Sequence, residues 1–243
     1  MCKNFEIKSG GIRAAADHWN VLILQMLSTL VRRVTGFVQI QVIMEHYYAT
    51  LFEYISRIIT LPEVDRQSVR RSFKPVFVPK DTIIEKAGEV PGYHNFIVSG
   101  FMRNFHLDKD NNEITTDLND GPRFFTSYFH FMNRTVSNEN LHCITDCALL
   151  RISRDDAEMT AASSLTQKDY TIRILQEHLQ KDKERINDMA NLTAEACYAK
   201  FVQANPNIIR HVPLKYIASY LGITQRHLSR LRSTGQPDTF TQQ

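Results

Sequence analysis

The chain has 243 residues, 43% of them apolar and 23% charged, with a net charge of +3. That length holds one large core or two modest ones, and the apolar content excludes wholesale disorder. The charge is unevenly placed. Residues 44–196 carry 18 Lys/Arg against 23 Asp/Glu, whereas from Cys197 onward there are six bases (Lys200, Arg210, Lys215, Arg226, Arg230, Arg232) and one acid, Asp238. A basic C-terminal segment on an acidic body suits phosphate binding by that segment alone, because DNA repels the rest.

Residues 1–43 read as an extension outside the working fold, an accessory segment or an over-long start. Their longest uncharged run, His18 to Val31, is 14 residues, short of the roughly 20 a membrane span needs, and no small-residue cleavage site follows it. Residues 45–73 read as helical, with Leu51, Phe52, Ile55, Ile58 and Ile59 as the apolar stripe and Pro62 opening a second short helix. The period then changes to alternation. Val76 to Val78, Thr82 to Glu85, Phe96 to Val98, Phe101 to Phe105, Ile114 to Leu118 and one or two strands within Leu141 to Ile152 are separated by turn residues. Gly88 and Gly100 suit turns that need positive φ. Such spacing predicts an antiparallel jelly-roll barrel of about eight strands.

The four cysteines, Cys2, Cys143, Cys147 and Cys197, form no metal-ligand pattern. In one regular strand Cys143 and Cys147 would lie about 13 Å apart, too far for a disulfide. All four are expected as reduced, structural thiols of a cytoplasmic protein.

Gln167 to Met189 is helical again, with Ile172, Leu175, Leu179, Ile186 and Met189 spaced three, four, seven and three apart. A stripe that narrow suits a second copy of the helix, although packing on the chain's own barrel would also use it. Ala194 to Asn205 forms another helix that stops before Pro206, and Ile208 to Pro213 is expected as a short strand.

The sharpest signal is YIASYLGITQRHLSRLR, Tyr216 to Arg232. Ile217 and Leu221 face inward from one helix, Leu228 and Leu231 from the next, and Ala218 is small where they cross. Gly222 supplies the left-handed residue that stops the first helix, and Thr224 can N-cap the second. This is a helix-turn-helix pattern that leaves Gln225, Arg226, Ser229 and Arg230 for base edges, with Lys215, Thr224 and Arg232 placed for phosphates. His227 flanks that face.

In this order the elements resemble the Crp/Fnr superfamily of bacterial transcription regulators, over roughly Met44 to Ser233. The most specific pieces are VPKDTIIEKAGEVPGYHNFIVSGFMRNF (78–105), NLTAEACYAKFVQANPNIIRHVP (191–213) and the helix-turn-helix. The resemblance implies an α+β chain in four parts: the extension 1–43; a cyclic-nucleotide-binding-like jelly-roll barrel, 44–166; a dimerisation helix, 167–190; and a winged or wingless helix-turn-helix domain, 191–243. It implies a homodimer on a palindromic, double-stranded operator, acting in the cytoplasm at the nucleoid, with RNA polymerase as a candidate partner. Only eleven residues follow Arg232, so the family's second wing pair would be rudimentary. The alternative is a sensor or scaffold module with a degenerate DNA-binding end.

Nucleotide-binding members of that family use a Gly-Glu turn for the ribose and an Arg-Ser/Thr-Ala segment for the phosphate. Here Phe124 to Ser127 holds no Gly-Glu pair, and Ser137 and Asn138 fall where the Arg and Ser/Thr belong. Arg134-Thr135 comes three residues early, and Arg123 is a second cation. Cyclic-nucleotide dependence is therefore not expected. An effector site would be sought at Arg123, Phe125, Thr126, Ser127, Arg134, Ser137 and Asn138. The aromatics Phe124, Phe125, Tyr128, Phe129 and Phe131 are expected to fill the core there. Cys2 alone cannot hold an iron–sulfur cluster. No cofactor, metal or catalytic residue is expected, since no phosphate loop, nucleophile elbow or metal-ligand spacing occurs.

Overall fold

The computed structural model describes residues 41–234; of the expected extension 1–43 all but residues 41–43 lie outside it, as do the residues after Thr234, with any wing. The chain divides into two units after His46; residues 41–46 of the first are helical, and all that follows concerns the second. There the helix ending at residue 56 is α1, and α2 is Glu63–Ser72. Eight strands follow: β1 Lys74–Val78, β2 Ile83–Glu85, β3 Tyr93–Ser99, β4 Met102–Leu107, β5 Glu113–Leu118, β6 Arg123–Phe125, β7 Asn140–Cys143 and β8 Cys147–Ser153. A short helix α3, Tyr128–Asn133, separates β6 from β7. Beyond β8 come α4 Arg154–Ser163, α5 Leu165–Asn191, α6 Ala194–Ala204, α7 Pro206–His211, α8 Leu214–Tyr220 and α9 Gln225–Thr234.

The strands form two antiparallel sheets, ordered β1-β8-β3-β6 and β2-β7-β4-β5. The jelly roll is thus an open sandwich rather than a closed barrel. Alternation explains its runs of apolar residues. From β3, Ile97 points between the sheets, while Phe96 and Val98 point out against Leu51, Phe52 and Ile55 of α1. In β8, Leu149 points between the sheets and Leu150 and Ile152 point to the helices. Central strands covered on both faces need such continuous apolar sequence. The outer face of the second sheet is covered by the C-terminal helices, through Leu118, Ile144, Phe201, Ile208, Val212 and Tyr216.

Two expectations are corrected. Cys143 and Cys147 do not share a strand: the chain turns a corner at residues 144–146, so one cysteine ends β7 and the other begins β8. Both side chains are buried in the core between the sheets, one from each side of that corner. Ile208 to Pro213 is not a strand either. Pro206 sits in the first turn of helix α7, where its missing N–H costs nothing, and the Asp120 carboxylate accepts from Ile208 N at 2.9 Å. Ile208 and Val212, four apart, then bury on one side, and the chain is extended only from Val212.

A polar layer lies between the sheets. Glu85 accepts from Asn95 Nδ2 at 3.0 Å and Thr126 Oγ1 at 3.1 Å, and Asn95 Oδ1 accepts from Arg151 Nε at 2.7 Å. Burial outweighs those donors and pushes the Glu85 carboxyl up to about 7. An acid with a raised folded pKa contributes stability that is complete below about pH 4.5, its unfolded value, and is lost as pH rises through about 7. Urea unfolding of Glu85→Gln should show that loss abolished, with the variant more stable than the parent at pH 8 and not at pH 4. Parallel pH profiles for the two proteins would refute the assignment.

Candidate nucleic-acid interface

Local chemistry builds the helix-turn-helix. Gly222, at φ +69°, follows the last turn of α8, and Ile223 N donates to Ala218 O at 3.0 Å, closing a left-handed helix stop. A Cβ at Gly222 would meet Met189 Cε of α5 at 2.8 Å. Thr224 Oγ1 accepts from His227 N at 3.2 Å, capping α9. Ile217, Ala218, Leu228 and Leu231 are all buried, so the two helices share one apolar seam.

That seam turns the other side of α9 outward. Gln225, Arg226, Ser229 and Arg230 are exposed together, one turn apart in pairs. Lys215 is exposed with its ammonium 4.7 Å from the Tyr216 ring centroid, Thr224 is exposed, and Arg232 is half-buried with its charge near Tyr198. His227 points back to α6, its Nε2 3.6 Å from Glu195 Oε1. It belongs to the packing of the module rather than to its outer face.

The back of the module is fastened to the sandwich by contacts the sequence did not announce. Arg103, 2% exposed on the outer face of β4, lies with its guanidinium 3.6 Å from the Tyr216 ring centroid and 4.1 Å from that of Phe105. Its Nε donates to His142 Nδ1 at 3.0 Å and its terminal nitrogen pairs with Glu113. Burial, and then the Arg103 charge, lower the pKa of His142 and so keep Nδ1 available as an acceptor. Ser219 of α8 accepts from Thr115 N and donates to Glu113 O, both at 2.9 Å, which closes the edge of β5. From α5, Arg185 donates to Tyr220 O at 2.8 Å. The hint in the sequence was an arginine between the apolar residues Met102 and Phe105 of β4.

The candidate effector residues scatter. Phe125 and Ser137 are buried, and Arg134 turns outward at the end of α3 to pair with Glu158 at 2.8 Å. Arg123, Thr126, Ser127 and Asn138 do line one open cleft of ≈ 1230 Å³ between the sandwich, α5 and α6. Arg123 is paired with Asp117 there, and Thr126 is bonded to Glu85. Ser127 Oγ donates to Glu139 at 2.6 Å, Thr116 Oγ1 donates to the same carboxylate at 3.0 Å, and Ser137 Oγ donates to Ser127 Oγ at 3.3 Å. Glu139, absent from the candidate set, is thus the anion that these hydroxyls serve. Of the aromatics, Phe124 and Phe131 are core, but Phe129 is 69% exposed, a correction to its expected filling role. It lies on the side of α3 away from the buried Phe131. His94 stacks on Phe124 and Phe131, and burial lowers its pKa to about 3, which makes it a neutral core residue.

Helix α5 has two faces. Ile174 is buried and Tyr170 packs on the sandwich core, whereas Ile172, Leu179 and Ile186 are 53%, 70% and 64% exposed. Leu175 and Met189 are also exposed, and both line the cleft beside Phe129 and Met132. Among the described residues no helix is long and apolar enough to cross a membrane, and no group of three His, Cys, Asp or Glu could hold a metal ion.

No family model and no curated protein matches the chain in sequence. Solved structures do. FixK2 from Bradyrhizobium japonicum superposes with a TM-score of 0.58 at 18% identity, over 67% of this chain and 83% of that one. A transcriptional regulator assigned to the Crp/Fnr family, from Eubacterium rectale, gives 0.58 at 17%, over 75% and 87%. CLP of Xanthomonas campestris, described as a c-di-GMP responsive global regulator, gives 0.55 at 14%, over 75% and 95%. At these identities the likeness is one of fold: the chain has the fold of the Crp/Fnr regulators, a cyclic-nucleotide-binding-type sandwich followed by a long helix and a C-terminal helix-turn-helix module.

Proposed function

We propose that this chain is a sequence-specific transcription regulator that binds an inverted-repeat operator as a homodimer and acts in the cytoplasm without a cyclic nucleotide. The observation that carries this reading is the exposed polar face of α9. Four polar side chains, Gln225, Arg226, Ser229 and Arg230, point outward from a helix whose back is locked by Leu228 and Leu231. Arg can take guanine O6 and N7 and Gln can take adenine N6 and N7, while Lys215, Thr224 and Arg232 set the register on phosphates. RNA polymerase would be met by the DNA-bound dimer.

The second copy is supported by α5. A helix of 27 residues, about 40 Å long, that buries one side on its own sandwich and leaves Ile172, Leu175, Leu179, Ile186 and Met189 bare needs a partner for that stripe. A two-fold pairing along it would carry two α9 helices to successive major grooves. Independence from cyclic nucleotides rests on charge. A cyclic phosphate needs an unpaired guanidinium and directed donors, but Arg123 is committed to Asp117, Arg134 points away, and the hydroxyls of Ser127 and Thr116 already serve the Glu139 carboxylate.

Selection from random oligonucleotides with the purified protein should return a two-fold symmetric site. On that site Arg230→Ala should lose about 1–3 kcal/mol and relax choice at one base of each half. Lys215→Ala should weaken all sequences alike and flatten the salt dependence by about one ion. An unchanged base preference in Arg230→Ala would remove α9 from the reading role.

The dimer has its own check. Light scattering should give twice the chain mass for the parent and the single-chain mass for Leu179→Glu/Ile186→Glu. Because both side chains are exposed in the folded chain, the variant should keep the parent's circular dichroism spectrum. Retention of the double mass would refute α5 as the interface.

A further inference from the structure

The junction between the sandwich and α8 turns on one imidazole. His142 of β7 is buried and lies edge-on to the Tyr216 ring of α8, centroids 5.9 Å apart. Its Nδ1 accepts from Arg103 Nε at 3.0 Å, so that nitrogen carries no proton. The one N–H of the neutral ring is therefore on Nε2, the atom 3.8 Å from Asp81 Oδ1. The same Arg103 guanidinium lies over the Tyr216 ring at 3.6 Å, so a single cation joins β7 to α8.

We infer that His142 is a proton-operated latch: a proton on its ring releases α8, and with it the helix-turn-helix, from the sandwich. Because Nε2 already holds a proton, a second can enter only at Nδ1. There it would point at the Arg103 Nε–H across 3.0 Å, donor against donor and cation against cation. The charged groups around the ring do not relieve this. Glu113 of β5 is already paired with the terminal nitrogen of Arg103. Asp81, in the turn before β2, is exposed and stands on the Nε2 side. From α8, Lys215 brings a further cation, its ammonium 4.7 Å from the Tyr216 ring centroid. Arg103 cannot give up its own proton, and at 2% exposed it has no room to turn away while α8 covers it. Relief comes when α8 lifts, which also parts Ser219 from Thr115 N and Glu113 O.

The direction with pH follows from the surroundings. In the docked form burial, and then the Arg103 charge, hold the His142 pKa below its ordinary 6.5, a value the ring regains once α8 has left. The undocked form therefore takes the proton first. Docking is complete above pH 6.5 and weakens below it, by at most about tenfold per pH unit for one proton. This inference rests on the docking of α8 and does not depend on what α9 reads.

The test follows two signals by nuclear magnetic resonance on the full chain. The ring nitrogens of His142 report its protonation. Exchange of the Thr115 amide, whose acceptor is Ser219 of α8, reports undocking. After correction for the intrinsic pH dependence of exchange, Thr115 protection should fall about fivefold between pH 7 and pH 5.5. The ring should titrate below 6.5. In His142→Gln the side-chain oxygen can still accept from Arg103 but does not titrate, so Thr115 protection should be equal at the two pH values. A ring that titrates at or above its ordinary value, or a Thr115 amide equally protected at both pH values in the parent, would overturn the latch. So would a fall of the same size in His142→Gln. Amides of β3 and β8, in the other sheet, are the control: an equal fall there would make the loss global and also overturn it.

Discussion

A guanidinium buried between two modules decides how this molecule is assembled. Arg103 comes from the middle of a strand, where a charge is costly unless every donor is matched. No residue of β4 alone can match it. The match is made by His142 from the neighbouring strand, Glu113 from the next, and the ring of Tyr216 from the C-terminal module. Without α8 in place, one face of that cation would meet water or nothing. The sandwich and the helix-turn-helix are therefore a single packing problem, and the shared core of Leu118, Ile144, Phe201, Ile208 and Ile217 is its apolar part.

The remaining ties follow the same logic, each pairing an unsatisfied backbone group on one module with a side chain on the other. Asp120 takes a free N–H at the start of α7, Ser219 takes the open edge of β5, and Arg185 takes a carbonyl at the end of α8. All of them engage the back of the module. The outer face of α9 stays exposed, which suits the reading role proposed for it. The same division appears on α5, where one side serves the sandwich and the other stays bare.

The loop region after β6 satisfies its polar groups from within the chain. The hydroxyls at its base serve a carboxylate of the chain itself, Glu139, and the nearby Arg123 is paired with Asp117.

Much of the architecture was legible before any coordinates. Alternation, turn residues and helical stripes give the strands, the long helix and the helix-turn-helix, because each reports a local period set by backbone geometry. Gly222 and Thr224 could be assigned from their own chemistry, since a left-handed residue and a cap act within one turn. What the sequence could not give were the non-local partners. Nothing near Arg103 names Tyr216, and nothing near Ser127 separates Glu139 from a ligand. Period-two logic placed Cys143 and Cys147 on one strand because it could not see the corner at 144–146, and it read Ile208 to Pro213 as extended because Asp120, whose carboxylate takes the Ile208 N–H, lies 88 positions away. Local geometry is written in neighbouring residues. Which buried polar group satisfies which is decided only when distant segments are brought into contact.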